Sequence, residues 1–179
     1  FNKIDKKDEI ITKKSDNKKK IESEIDYYKK IPKNIKHFFP KITKYGKNFY
    51  QYKFIDGQTF SELLISKELN SFHLSKLFKN LNTIHLSKKH NLPRQIDIYS
   101  NYLNKLKFRI NRNEIVLKNK ILRNNYDYLE EKLQDYEKNK LGKIGIIHGD
   151  PVFTNMIIKD EKITFIDPRG LLKDNFSIY

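Results

Sequence analysis

Residues 143–167 restrict the fold of this chain more than any other stretch. Lys143 to Ile147 is an apolar-rich run of strand type that enters the loop His148-Gly149-Asp150-Pro151-Val152-Phe153-Thr154-Asn155. Asn155 to Ile158 leaves the loop as a second strand, Asp160-Glu161-Lys162 makes a polar turn, and Ile163 to Ile166 returns, ending at Asp167. Two short β-type runs about a polar turn read as a hairpin. Its closure carries Asp167 back beside Asn155, so side chains distant in sequence are predicted to share one end of the hairpin.

The residue types so gathered have a chemistry. A His-x-Asp, an Asn five places after that Asp, and an Asp closing a strand follow the order that metal-assisted phosphoryl transfer needs. A general base must stand within hydrogen-bond reach of the attacking hydroxyl, and oxygen donors for hard cations must sit a little further back. Asp150 is the candidate base. Asn155 and Asp167 are the candidate ligands of divalent cations that bridge nucleotide phosphates. Taken singly each piece is ordinary, since His-Gly-Asp is a common turn and an Asp often ends a strand. The whole set in register is what points to catalysis.

The stretch resembles the catalytic core of the aminoglycoside phosphotransferase and choline kinase family, which shows His-Gly-Asp-x-x-x-x-Asn and then a hydrophobic pair with Asp. Within that group, Phe165-Ile166-Asp167-Pro168-Arg169-Gly170 is similar to capsule-biosynthesis-type phosphotransferases. The resemblance implies a protein-kinase-like, two-lobed α+β fold. Residues 1–56 would form a small antiparallel sheet lobe with one helix, and residues 57–179 a mostly helical lobe carrying the catalytic loop and metal-binding hairpin. It further implies ATP and Mg²⁺ in the cleft, and a small-molecule hydroxyl acceptor such as a sugar, an amino alcohol or an aminoglycoside. His148 would hold the catalytic loop by hydrogen bonding near Asp167 rather than move a proton. Arg169 would either touch an anionic acceptor or neutralise the acidic site.

Upstream, Glu9 to Ser15 reads as a strand ending in lysines, and residues 18–31 show helical spacing with Ile21, Ile25, Tyr28 and Ile31 on one face. Ser15, Asp16 or Asn17 would cap that helix and Pro32 would stop it. In kinase-like folds a strand lysine contacts the nucleotide phosphates and pairs with a glutamate on the next helix. Lys13 fits that position, with Lys14 the alternative; Glu24 is the preferred partner, with Glu22 the alternative. Lys41 to Tyr45 and Phe49 to Ile55 read as a hairpin about Gly46-Lys47-Asn48. Tyr52-Lys53-Phe54-Ile55-Asp56-Gly57 is similar to the family's hinge, where backbone groups, here at Phe54, would meet the adenine edge. A plain turn from strand to helix is equally compatible with that string.

Residues 72–90 form the clearest helix, with Leu74, Leu77, Phe78, Leu81, Ile84 and His85 on one stripe. His85 reads as packed structure rather than a catalytic group. Two further amphipathic helices are expected over 96–110 and 114–137. No Gly-x-Gly-x-x-Gly and no Gly-x-x-x-x-Gly-Lys-Ser/Thr occurs in the chain, so a phosphate-cradling loop is not visible. Phe1-Asn2-Lys3-Ile4 resembles the strand just after the family's glycine-containing loop, so the sheet lobe is expected to be truncated. A nucleotide-binding or scaffold protein without turnover is the alternative reading.

Composition narrows the classes. The chain has no cysteine, which excludes disulfides, thiolate zinc sites and cysteine nucleophiles. It has no long apolar run and no signal-peptide pattern, so it reads as a cytoplasmic chain without a membrane span. A net charge of +15 invites a nucleic-acid reading. The lysines are spread along the whole chain, however, and no motif interleaves them with aromatics, so specific nucleic-acid binding is not expected. The positive field would instead help attract ATP or an anionic acceptor.

Overall fold

A computed structural model describes residues 2–87, 104, 106–139, 144–169 and 177–178. The chain divides into two units, Phe1–Lys89 with Gly145–Ser177, and His90–Ile144 with Ile178–Tyr179. The lobe boundary expected after residue 56 falls inside the first unit.

The first unit opens with β1 (Asn2–Lys7) and β2 (Ile10–Ser15), an antiparallel hairpin about Asp8 and Glu9. Both turn residues have positive φ, 49° and 59°, the primed geometry whose twist matches that of the strands. Glu9 is therefore a turn residue and not the first strand residue, as its place before Ile10 suggested. Next come β3 (Ile42–Tyr45) and β4 (Phe49–Lys53), the expected hairpin, and the sheet order is β1-β2-β4-β3. β2 alternates cleanly. Ile11, Lys13 and Ser15 point inward while Lys14 is exposed, because successive side chains of a strand face opposite ways.

Helix α1 (Lys18–Lys30) starts where Asn17 accepts the Lys20 N–H through its side chain, and Ile31 and Pro32 end it. Its buried face repeats at helical spacing through Ile21, Glu24, Ile25 and Tyr28. Glu22 lies on the exposed side. A 3₁₀ turn, Lys33–Phe38, follows, and Phe38 and Phe39 enter the core.

Residues 54–57 connect this sheet to a second one. There β5 (Gln58–Thr59) pairs with β7 (Met156–Lys159), which pairs with β8 (Lys162–Phe165), all antiparallel. The short β6 (Ile144–Gly145) precedes them in the chain. β7 and β8 form the predicted hairpin, turning at Asp160 and Glu161 with φ of 46° and 62°. Helix α2 (Phe60–Ile65) begins with a capping box between Thr59 and Glu62. Helix α3 (Ser71–Leu86), capped by Asn70, buries Leu77 and Ile84. Phe78, expected on the apolar stripe, is instead 65% exposed. Residues 88–90 of the expected helix lie outside the described residues. The core joins both sheets and α1 through Ile21, Ile35, Tyr50, Phe60, Met156, Ile163 and Phe165.

In the second unit, residues 106–110 are helical, followed by α4 (Glu114–Lys118) and α5 (Lys120–Lys138). These match the latter part of the 96–110 helix and the 114–137 helix; residues 96–103 lie outside the described set. No described helix is long and apolar enough to cross a membrane.

Candidate active site

The site begins with one lysine. Lys13, 3% exposed, donates to Glu24 Oε2 at 2.7 Å and also meets Asp167 Oδ1. β2, α1 and the end of β8 therefore converge on a single ammonium group, from positions far apart in sequence. Alternation along β2 selects Lys13 over Lys14, and the buried face of α1 selects Glu24 over Glu22. Burial raises the Glu24 carboxyl above its ordinary 4.5, against the opposing pull of Lys13. Its Oε1 has no hydrogen-bond partner among the described residues.

Tyr50 is a fourth member that the sequence did not reveal. Its hydroxyl, in a residue only 1% exposed, donates to Glu24 Oε2 at 2.8 Å. The signal lay in strand register, since Lys13 stands opposite Tyr50 in the β2–β4 pairing. A register set by tertiary packing is hard to read from one sequence.

The catalytic-loop segment is held by His148, 1% exposed. Its Nε2 lies 2.8 Å from the Ile166 carbonyl, so Nε2 carries the proton and donates. Nδ1 then accepts the Asp150 backbone N–H at 3.3 Å. Burial lowers the imidazole's affinity for a second proton, which suits this neutral tautomer. The ring stacks on Phe39 with planes 6° apart. His148 thus ties the residue before Asp167 to the residue before Pro151, and both ring nitrogens are engaged by backbone groups.

Gly149 has φ of +81°, and a Cβ there would lie 2.6 Å from the Arg169 carbonyl oxygen. That close approach explains the glycine between His148 and Asp150. The Arg169 N–H donates to the His148 carbonyl at 2.8 Å, and its Nε pairs with Asp150 Oδ2 at 2.9 Å. Of the two roles open to Arg169 in the sequence, its position is that of a neutraliser of Asp150.

Asn155 closes the loop. Its Nδ2 donates to the Asp150 carbonyl at 3.1 Å, and its own carbonyl accepts the Ile166 N–H at 2.9 Å. Asp167 follows Ile166 at the end of the hairpin with φ of 59°. The amide oxygen of Asn155 and the carboxylate of Asp167 thus belong to adjoining chain ends, as the sequence required. Among the described residues no three His, Cys, Asp or Glu side chains gather as a metal cage. Mg²⁺ does not need one: it binds through one or two protein oxygens and completes its shell with water and substrate phosphate. An all-oxygen pair of one carboxylate and one amide fits that ion.

Phe54, expected to offer backbone groups to a nucleotide base, donates its N–H to the Glu9 carbonyl at 2.6 Å. Its ring lies under the Lys6 ammonium at 3.3 Å. Of its two backbone groups, the N–H is engaged within the sheet. His85 is half-buried, and desolvation lowers its pKa to about 4.

No protein-family model and no curated protein sequence matches the chain. Solved structures do. A choline kinase from Cryptosporidium parvum Iowa II superposes with a TM-score of 0.53 at 16% identity, over 99% of this chain and 56% of that one. A Plasmodium vivax ethanolamine kinase gives 0.51 at 20% identity, over 94% and 56%. The streptomycin–ATP–APH(2″)-IIa ternary complex gives 0.52 at 15% identity, over 99% and 67%. The chain spans little more than half the length of the two kinases. Together with the Lys13–Glu24–Asp167 convergence, these likenesses establish that the chain has the kinase-like phosphotransferase fold.

Proposed function

We propose that this chain carries the catalytic centre of an ATP-dependent phosphotransferase acting on a hydroxyl of a small molecule. The observation that supports it most is the meeting of buried Lys13 and Glu24 with part-buried Asp167, three ionisable residues from three elements. Burying charge is costly unless it is paired, so such a cluster is retained where chemistry uses it.

In this reading the acceptor hydroxyl attacks the γ-phosphorus of ATP. Its new O–P bond forms as the bond to the β–γ bridging oxygen breaks, and its proton passes to the Asp150 carboxylate. Lys13, held by Glu24, steadies the phosphates. Asn155 and Asp167 would hold Mg²⁺, which neutralises charge on the transferred group when bound. Arg169 must release or share Asp150 as the acceptor enters. His148 keeps the loop in shape. The acceptor classes suggested by the structural neighbours are amino alcohols and aminoglycosides, with sugars included because the Phe165–Gly170 string is similar to capsule-biosynthesis-type phosphotransferases. The activity is expected in the cytoplasm.

A second reading, nucleotide binding without turnover, is favoured by the Arg169–Asp150 ion pair, which occupies the base. ADP release with Mg²⁺ across a panel of choline, ethanolamine, aminoglycosides and sugars separates the two. Asp150→Asn should lower that rate about 10²- to 10⁴-fold with an unchanged melting temperature. Undiminished turnover in Asp150→Asn would remove Asp150 from the role of base. ATP binding with no ADP release on any acceptor would support the second reading.

A further inference from the structure

A large cavity of the first unit lies away from the site just described. It is an open groove of about 1360 Å³ bounded by α1, the residues after it, β3, the 53–56 connection and the β7–β8 hairpin. Lys13, Asp150, Asn155 and Asp167 do not line it. Its volume exceeds the roughly 300–1,000 Å³ usual for small-molecule pockets, so its scale is that of a peptide.

The lining has two kinds of surface. The floor is apolar and aromatic, with Ile25, Tyr28, Phe39, Ile42, Phe54 and Ile55. The rim is basic. Lys36, Lys41 and Lys162 border the groove, and none has a carboxylate partner among the described residues. Of the three rim acids, Glu9 and Asp56 are matched, to Lys53 at 3.8 Å and Lys159 at 3.2 Å, and Asp160 is the third; the unmatched lysines still outnumber it. One wall is also a sheet edge. β3 pairs with β4 alone in its sheet, and an edge strand presents backbone donors and acceptors to any extended chain beside it.

We propose that this groove docks an extended, acidic segment of a partner protein, laid along β3. Carboxylates of the segment would answer the three unmatched lysines, alternate apolar side chains would enter the floor, and backbone groups would pair with the strand edge. Charge complementarity selects an acidic partner over a basic one. Concavity selects a peptide over a bilayer, whose flat surface cannot reach a recessed apolar floor.

The test uses the whole chain and a labelled synthetic peptide of about twelve residues alternating Glu or Asp with Leu or Ile, followed by fluorescence anisotropy at physiological salt. One variant carries Lys36→Glu, Lys41→Glu and Lys162→Glu. A control carries Lys3→Glu, Lys7→Glu and Lys14→Glu, exposed lysines on β1 and β2, so both lose the same net charge. Circular dichroism confirms that each folds. The groove variant should bind at least about tenfold more weakly and the control within about twofold of the native chain. Equal weakening in both would reduce the effect to net charge and overturn the proposal, as would absence of peptide binding by the native chain. Vesicles of phosphatidylserine and phosphatidylcholine serve as the second probe. If they bind the native chain in a groove-dependent way and the peptide does not, the surface is a membrane site and the peptide proposal fails.

Discussion

Replacing Lys13 with Met separates the electrostatic role of this residue from its volume. Methionine fills similar space, so the cavity contribution is small, and the change isolates the ammonium group. In the native chain that group sits between Glu24 at 2.7 Å and Asp167. Removing it leaves the Glu24 carboxylate, 2% exposed, with the Tyr50 hydroxyl donating at 2.8 Å and the Lys20 ammonium 4.0 Å from its other oxygen. Breaking a buried pair in this manner costs about 3–5 kcal/mol, and the surviving hydrogen bond to a charged group places the expectation near the lower end, about 3 kcal/mol. For a chain of this size that lowers Tm by about 6–12 °C. The loss must also depend on pH. Burial already raises the Glu24 pKa above 4.5, and deleting Lys13 removes the influence that opposed it. A carboxyl whose folded pKa is raised binds more protons in the folded state, so folding weakens as pH rises above the unfolded value. The deficit of Lys13→Met against the native chain should therefore be full at pH 7.5 and shrink as pH falls toward 4.5. Thermal melts of both proteins by circular dichroism across that range give the comparison directly. A variant melting within about 2 °C of native at pH 7.5, or a deficit that does not change with pH, would refute the reasoning.

Tyr50→Phe removes one hydrogen bond to Glu24 and should cost about 1–2 kcal/mol by denaturant melts, with ADP release falling more than nucleotide affinity; an unchanged rate would deny Tyr50 a part in positioning Lys13. Gly149→Ala places a Cβ 2.6 Å from the Arg169 carbonyl at φ of +81°, so about 1–3 kcal/mol of strain is expected, read as a lower Tm together with lost turnover. Retention of both would show that the loop relaxes freely. Acid should weaken the fold through His148, and through His85, whose pKa is about 4: for an imidazole with a lowered folded pKa, stability is present above the ordinary 6.5 and falls as pH drops below it. The slope is about 1.4 kcal/mol per pH unit while the unfolded imidazole alone of His148 is charged, and NMR titration showing His148 protonating near 6.5 would contradict it.

The parts of this fold that were legible are those encoded by local periodicity. The β7–β8 hairpin was visible because two short apolar runs flank Asp160-Glu161, and α1 because Ile21, Ile25 and Tyr28 repeat at helical spacing. Lys13 and Glu24 could be named, with Lys14 and Glu22 as alternatives, because the family resemblance implies a strand lysine paired with a glutamate on the next helix. Their contact is the sort of fact a sequence implies without containing. Tyr50 was not legible, because its role depends on the β2–β4 register, which long-range packing fixes. Phe78 misled for a related reason: helical spacing marks a stripe, but not how much of that stripe a neighbour covers. The sequence left two roles open for Arg169, because its backbone contact with His148 and its ion pair with Asp150 arise from a turn that no residue pattern specifies.

The large positive charge of the chain does little inside this centre. Solvated lysines are screened over about 10 Å at ordinary salt, whereas Lys13 and Arg169 touch the carboxylates themselves. Counting contacts, Lys13 serves Glu24 and Asp167, and Arg169 serves Asp150. Lys20 adds a third cation, 4.0 Å from Glu24 Oε1, so three carboxylates face three cations. A centre so nearly balanced tolerates partial burial, which a bare cluster of carboxylates would not. Its carboxylates would still repel a polyphosphate that approached them without a cation. A divalent cation shared between Asp167, Asn155 and the phosphates would reverse the sign. On the proposed function, nucleotide and Mg²⁺ should therefore bind together, with Lys13 holding Glu24 and Asp167 in place.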